Sequence, residues 1–132
     1  MSGIGDGRLV LIVEDNERNM KLARDVLQFH GFRTFETVSG EDGVMMAREH
    51  HPDLILMDIS LPGIDGVEAT RQLKDDPSTA NIPIVALTAS VLNADRARFE
   101  AAGFAGLIAK PIDVLAFPEQ VLAYCPERED AT

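Results

Sequence analysis

The sequence has little of several residue types, and each shortage narrows the classes of protein it can belong to. Cys125 is the single cysteine among 132 residues, and a lone thiol fits a reducing compartment. No apolar run approaches the roughly 20 residues that span a bilayer, and the polar, glycine-rich start MSGIGDG does not resemble a signal peptide. We therefore expect a cytoplasmic protein.

Positive charge is also scarce. The chain carries 12 Lys and Arg residues against 22 Asp and Glu residues, which gives a formal net charge of −10. Nucleic acids and anionic membrane surfaces repel a protein of this charge, so neither is expected to be a direct partner.

What remains is the composition of one folded domain. A hydrophobic content of 45% over 132 residues is enough for a core without disulfides or a structural metal. We place the domain at residues 8–125. The flanking residues 1–7 and 126–132 are polar and lack periodic apolar positions, so we expect them to be disordered.

Short apolar runs alternate with helical patterns along the whole chain. Strands are predicted at residues 9–13, 33–37, 54–57, 82–87 and 105–109, and helices at 16–30, 40–51, 65–75, 90–102 and 114–124. Asn16 and Ser39 are placed as N-caps, and Gly31 as a helix stop. Right-handed crossovers then give an α/β fold with a doubly wound, five-stranded parallel sheet of flavodoxin-like order 2-1-3-4-5 and five helices.

Polar side chains end four of these apolar runs. Glu14 and Asp15 follow LVLIV, Asp58 follows DLILM, Thr88 follows IPIVAL, and Lys110 follows AGLIA. The carboxyl ends of parallel strands open on one edge of the sheet, so these groups are expected to converge. Three carboxylates, a hydroxyl and an ammonium can together hold a divalent cation and receive a phosphoryl group.

The segments VEDNERNMKL, DLILMDISLPGIDGVEA, ALTAS and AKP resemble the receiver domains of bacterial two-component response regulators. The resemblance covers nearly the whole chain and is greatest to stand-alone, single-domain receivers of the DivK type. It implies a phosphorelay protein that signals by changed protein–protein binding rather than an enzyme, although phosphoryl acceptance and loss are self-catalysed.

The resemblance also implies roles for individual residues. Asp58 matches the phosphoacceptor of the family, Lys110 the lysine that pairs with phosphoryl oxygens, and Thr88 the switch hydroxyl, while Pro111 follows the lysine in a cis bond. Ser60 and Ser90 would flank the approach of the hydrolytic water. The cofactor implied is Mg²⁺, with Mn²⁺ as a substitute, and its protein ligands would be Glu14, Asp15, Asp58 and the backbone carbonyl of Ser60.

Partners follow from the same resemblance. A histidine kinase or a histidine phosphotransfer protein would supply the phosphoryl group, and a downstream protein would receive the signal. Docking is expected chiefly on the first helix, at an exposed face near Asn16, Asn19, Met20 and Arg24.

Two positions depart from the family pattern. Leu107 stands where many receivers have an aromatic residue that rotates during switching, so the aromatic half of that switch is absent. Pro118 lies inside the predicted fifth helix, which must either kink or restart at Phe117 and Pro118. Since this alters a face that other receivers use for dimerisation, we expect a monomer in both states.

Two other functions fit parts of the pattern. A pseudo-receiver would bind partners without phosphorylation, and substitution of Asp58 by Asn would leave its function intact. A metal-dependent phosphohydrolase with an aspartyl nucleophile commonly has a second Asp two residues later, where this chain has Ser60, and it usually needs a cap for which no insertion is long enough.

Overall fold

A five-stranded sheet forms the centre of the computed structural model, which describes residues 3–89 and 96–127. Its strands are β1 (Leu9–Val13), β2 (Arg33–Thr37), β3 (Leu54–Asp58), β4 (Ile84–Thr88) and β5 (Gly106–Ala109). All four neighbouring pairs run parallel, in the order β2-β1-β3-β4-β5. The predicted fold class and strand order are confirmed.

A helix follows each strand. The helices are α1 (Glu17–Phe29), α2 (Gly40–His50), α3 (Gly66–Asp75), α4 (Arg96–Ala102) and α5 (Phe117–Tyr124). The fourth helix was predicted from residue 90, and residues 90–95 lie outside the described part of the chain. The remaining boundaries differ from the predicted ones by at most three residues.

Alternation along the strands divides the core into two layers. Val10 and Ile12 of β1 pack with α1 and α5 on one face of the sheet. Leu11 and Val13 pack on the opposite face with α2, α3 and α4. Because both faces are covered, the central strands β1, β3 and β4 are apolar except for Asp58 and Thr88 at the carboxyl ends of β3 and β4, as expected for buried parallel strands.

The predicted helix ends are confirmed. Oδ1 of Asn16 accepts the backbone N–H three residues later at 3.0 Å, and Oγ of Ser39 does the same at 3.1 Å. Gly31 follows α1 with a φ of +90°, a left-handed conformation that glycine adopts without steric cost. These caps fix where α1 and α2 begin, immediately beyond the carboxyl edge of the sheet.

The fifth helix restarts at the proline rather than kinking. Residues before it form a turn in which Oδ1 of Asp113 accepts the Leu115 N–H at 3.0 Å, and α5 begins at Phe117. Pro118 is thus in the first turn, where its missing N–H has no intrahelical partner to lose. Phe117 is fully buried and anchors the new helix start in the core beside α1.

The chain before β1 contacts the far end of α1. The Gly5 N–H donates to the carbonyl of His30 at 2.9 Å, and the Gly7 N–H donates to that of Gly31 at 2.8 Å. The domain boundaries at residues 8 and 125 stay a prediction. Residues 1–2 and 128–132 lie outside the described residues.

Candidate functional site

The structure brings the strand-end polar residues together at the carboxyl edge of the sheet. Nζ of Lys110, just beyond β5, lies 3.0 Å from Oε1 of Glu14 and 3.3 Å from Oδ2 of Asp58. Glu14 directly follows β1, and Asp58 is the last residue of the neighbouring strand β3. The convergence predicted from the strand ends therefore occurs, with the ammonium between two carboxylates.

A third carboxylate completes an acidic cluster. Glu14, Asp15 and Asp58 each offer an oxygen, and the three oxygens lie within 4.8 Å of one another. Glu14 and Asp58 are only 1% and 3% exposed, whereas Asp15 is exposed to solvent. Closely spaced, buried carboxylates repel one another, so this set suits a hard divalent cation that keeps water ligands on its open side.

The site shifts the pKa values of Glu14 and Lys110. Burial raises the pKa of Glu14, and the contact with Asp58 raises it further, against the lowering effect of the Asn16 N–H and Lys110. For Lys110, burial lowers the pKa, but the hydrogen bond to Glu14 and the charges of Asp58 and Glu14 outweigh it, so the pKa is raised. Lys110 is therefore a cation at neutral pH.

The loop after β3 orients the Asp58 carboxylate. The Ser60 N–H donates to Oδ1 of Asp58 at 3.0 Å, and the Gly66 N–H donates to the Ile59 carbonyl at 3.3 Å. A Cβ at Gly66 would overlap the carbonyl oxygen of Asp58, so only glycine lets α3 start this close to β3. The sequence did not indicate the Ser60 N–H contact, because backbone donors in loops leave no residue-type signal.

Thr88 and Lys110 meet across the neighbouring pair of strands. Thr88 ends β4 and is 9% exposed, and its carbonyl accepts the Lys110 N–H at 2.8 Å. The bond between Lys110 and Pro111 is cis, as the resemblance implied. Thr88, the predicted switch residue, and Lys110 therefore line one cavity.

That cavity has a volume of about 430 Å³ and opens above Asp58. It is lined by Asn19, Asp58, Ile59, Ser60, Leu87, Thr88, Ala89, Lys110 and Pro111. Ser90, predicted to flank the water's approach, lies outside the described residues.

Two residues of α1 differ from their predicted positions on an exposed docking face. Met20 is only 7% exposed and packs in the core, so its prediction as a surface residue was wrong. Asn19 is half-buried and lines the cavity. The sequence could have predicted this position of Asn19, because a helix that begins just after Asp15 has its first turn next to the carboxyl ends of the strands.

Leu107 of β5 does not line this cavity. It is half-buried against the core layer that includes α4, and it lines a groove of about 260 Å³ together with Phe99, Phe104 and Tyr124. A branched aliphatic side chain thus occupies the position of the family's rotating aromatic residue.

The fold and the acidic, lysine-bearing edge define a receiver domain of the response regulator class. Residues 10–121 match the family model described as the response regulator receiver domain, and the chain belongs to that family. The family is a signalling domain whose members interact with histidine kinases and effectors.

Individual relatives agree with this assignment. The chain is 49% identical over 115 residues to the polar-differentiation response regulator DivK of Brucella ovis, covering 87% of this chain and 94% of that protein. The corresponding protein of Brucella anthropi is 47% identical over the same shares. The chain is thus a response regulator receiver similar to DivK.

Solved structures give the same fold. The receiver domain of a sensor histidine kinase from Pseudomonas aeruginosa PAO1 superposes with a TM-score of 0.82 at 33% identity, covering 89% of this chain and 97% of that one. It has a magnesium ion coordinated in its active-site cleft. The chemotaxis response regulator CheY4 of Vibrio cholerae reaches a TM-score of 0.84 at 20% identity, covering 89% and 98% of the chains, and shares the fold.

None of the helices within residues 3–89 and 96–127 combines the length and the apolar character needed to cross a bilayer.

Proposed function

We propose that Asp58 accepts a phosphoryl group from a phosphohistidine and that the phosphorylated protein binds a downstream partner differently. One observation carries the proposal. The Asp58 carboxylate is 3% exposed, lines the cavity above the sheet and has the Lys110 ammonium 3.3 Å from its Oδ2. This carboxylate can act as a nucleophile toward phosphorus, and the cation beside it can stabilise the negative charge of the incoming phosphoryl group.

In the proposed transfer, one bond to phosphorus forms, one breaks, and two groups of the chain assist. An oxygen of Asp58 forms the new bond to phosphorus, and the bond from phosphorus to the donor imidazole nitrogen breaks with its electron pair on the nitrogen. The Ser60 N–H, 3.0 Å from Oδ1, orients the carboxylate, and Lys110 stabilises charge on the phosphoryl oxygens.

A metal ion fits the same site. Glu14, Asp15, Asp58 and the Ser60 carbonyl would hold Mg²⁺, or Mn²⁺ in its place, which is supported by the carboxylate oxygens within 4.8 Å of one another. When bound, the ion supplies positive charge to the phosphoryl oxygens during transfer and hydrolysis. Glu14 and Asp15 would have to be ionised, which the ion itself favours.

Thr88 would convert the modification into a conformational change. Leu87 is the cross-strand partner of Asp58, so the hydroxyl of Thr88 lies one residue beyond the phosphoacceptor on the adjacent strand. We propose that it donates a hydrogen bond to a phosphoryl oxygen and draws the following loop inward. Since Leu107 is not aromatic, the output would depend on that loop, on α4 and on repacking of Leu107.

The modification would be transient, because water can enter the same open cavity and hydrolyse the acyl phosphate. We propose a histidine kinase or a histidine phosphotransfer protein as donor, with docking on α1. The Brucella ovis relative is a polar-differentiation regulator, and we propose a comparable regulatory role for this chain. We further propose that it acts in the cytoplasm and is a monomer in both states, so sedimentation should not depend on concentration.

Intact mass after incubation with acetyl phosphate and Mg²⁺ tests the proposal. Wild-type protein should gain one phosphoryl group, and neither Asp58→Asn nor wild type with EDTA should gain any. Absence of a gain in wild type, with metal binding confirmed by thermal shift, would replace the proposal with a phosphorylation-independent binding scaffold. A gain of one phosphoryl group in Asp58→Asn would mean that a residue other than Asp58 accepts it.

A further inference from the structure

Asn19 is the one residue that α1 contributes to the cavity above Asp58; all other lining residues come from the ends of β3, β4 and β5 and the loops that follow them. Its side chain is half-buried. Within residues 3–89 and 96–127, its amide has no hydrogen-bond partner, since the bond that Asn19 makes to Asn16 uses its backbone N–H. A half-buried amide without a protein partner has both a donor and an acceptor available to a small ligand.

Hydrogen bonds hold Asn19 in place relative to the acidic cluster. The Asn16 N–H donates to Oε2 of Glu14 at 3.1 Å, and Oδ1 of Asn16 accepts the Asn19 N–H at 3.0 Å. The first turn of α1 is therefore connected through two bonds to a carboxylate that also contacts Lys110. This connection positions the Asn19 amide at the cavity without using its side-chain atoms.

We propose that the Asn19 amide orients the water molecule that hydrolyses the aspartyl phosphate. The inference rests on the proposed function, in which Lys110, Thr88 and the metal ion contact the phosphoryl oxygens. Of the described polar side chains that line the cavity, Asn19 and Ser60 have no phosphoryl contact in that arrangement. Ser60 is exposed and was predicted to flank the approach of the water, which leaves the half-buried Asn19 amide to orient it. The amide oxygen accepts a hydrogen bond from water, and the amide NH₂ donates to a phosphoryl oxygen, so one group places both reactants.

The hydrolytic step balances without another reactant. The water oxygen forms a bond to phosphorus, and the bond from phosphorus to the Asp58 oxygen breaks with its electron pair on the carboxylate. Both protons of the water leave with the product as dihydrogen phosphate. Asn19 neither gains nor loses a proton, as expected for an amide, and acts by orientation.

Two apolar variants, one with a large side chain and one with a small one, distinguish an orienting role of Asn19 from simple obstruction of the water's path. Asn19→Leu keeps the number of side-chain heavy atoms, and Asn19→Ala opens the cavity. Each protein is phosphorylated with acetyl phosphate and Mg²⁺, the donor is removed by rapid desalting, and the phosphorylated fraction is followed by intact mass. Lys21→Ala is the control, because Lys21 lies on the same helix, is 68% exposed and does not line the cavity.

Loss of the orienting amide, with its hydrogen bonds to the water and to the phosphoryl oxygen, should slow hydrolysis by about tenfold or more in both Asn19 variants. The Lys21 variant should decay at the wild-type rate, and all variants should bind Mg²⁺ with wild-type affinity in thermal shift. Faster decay of the Ala variant with slower decay of the Leu variant would assign Asn19 a purely steric role and overturn the proposal. Wild-type decay in both would also overturn it, whereas wild type that takes up no phosphoryl group removes the proposed function itself.

Discussion

Nζ of Lys110 donates a hydrogen bond of 3.0 Å to Oε1 of Glu14, joining positions 96 residues apart in the chain. Glu14 is 1% exposed, and its ionised form is stabilised by the Asn16 N–H and by this cation. The same ammonium also contacts the proposed phosphoacceptor. Lys110 therefore links the two buried carboxylates of the site and also has a role in the proposed reaction, which makes it the first position to test.

Lys110→Met should slow phosphorylation by acetyl phosphate on the order of 100-fold, as expected when one preorganised charge is removed from a phosphoryl-transfer site. The rate is measured by intact mass at saturating Mg²⁺. Lys21→Met is the matched control, because its ammonium is 68% exposed and, among the residues that the structure describes, pairs with Asp25 alone. Equal effects of the two substitutions would assign Lys110 a role through net charge alone.

Mg²⁺ should stabilise the folded protein through the carboxylate cluster. At an ion concentration of about 100 times Kd, the free energy of unfolding should rise by about 2.7 kcal/mol. Asp15→Asn should lose most of this gain, while stability without the ion changes by less than about 0.5 kcal/mol because Asp15 is exposed.

Urea unfolding with and without Mg²⁺ measures both quantities. Glu17→Gln is the control for Asp15→Asn, since it removes the same charge from an exposed position two residues away. If Mg²⁺ raises the free energy of unfolding of Asp15→Asn as much as that of wild type, Asp15 is not a ligand of the ion.

Phe117→Ala should lower the free energy of unfolding by about 3–5 kcal/mol, because the ring is fully buried in the core layer beside α1. Leu115→Ala, two residues earlier and 91% exposed, should change it by less than about 0.5 kcal/mol. Urea denaturation of both variants checks the contrast. Similar values for the two would mean that α5 is not anchored at its first residue.

Asp76 should make the stability depend on pH in the acid range. The Ser78 backbone N–H, its hydroxyl and the Arg48 side chain hold the pKa of Asp76 below its ordinary value of 3.8. A lowered folded pKa means that the ionised side chain stabilises the fold above the unfolded pKa. This stabilisation is lost as the pH falls through the folded pKa.

Asp76→Asn keeps an oxygen that can accept from Ser78 and removes only the charge. The variant should therefore be less stable than wild type at neutral pH, and the difference should shrink as the pH falls below 3.8, the ordinary pKa of Asp. Urea unfolding midpoints across this range give the pH dependence of the stability difference. Asp75→Asn is the reference, because it removes the same charge from the exposed neighbouring residue. A difference that stays constant with pH would exclude a contribution from ionised Asp76.

The sheet and the converging strand ends could be predicted because they depend on residue type and spacing. Runs such as LVLIV and DLILM are apolar on both faces, and a polar residue directly after such a run must lie at the sheet edge. The caps at Asn16 and Ser39 were predictable for the same reason, since short polar side chains at helix starts have a distinct role.

The contacts inside the site were less predictable. The Ser60 N–H that orients Asp58 is a backbone donor, so no side chain marks it in the sequence. Met20 was placed on the exposed docking face of α1 that the resemblance implied, although its position on the helix turns it into the core. Whether α5 kinks or restarts at Pro118 also stayed open, because proline kinks the interior of a helix but is accepted in its first turn. In the structure the helix starts at Phe117, whose side chain is buried in the core.

Tyr124 gives the protein an intrinsic optical reporter. It is the single tyrosine of a chain without tryptophan, and it lines the groove beside Leu107 with its hydroxyl close to Gly106. Excitation of tyrosine therefore samples one known location, at the α5 side of the edge strand. A change in its emission on addition of acetyl phosphate would follow repacking of that groove in real time, in unlabelled protein and without a partner.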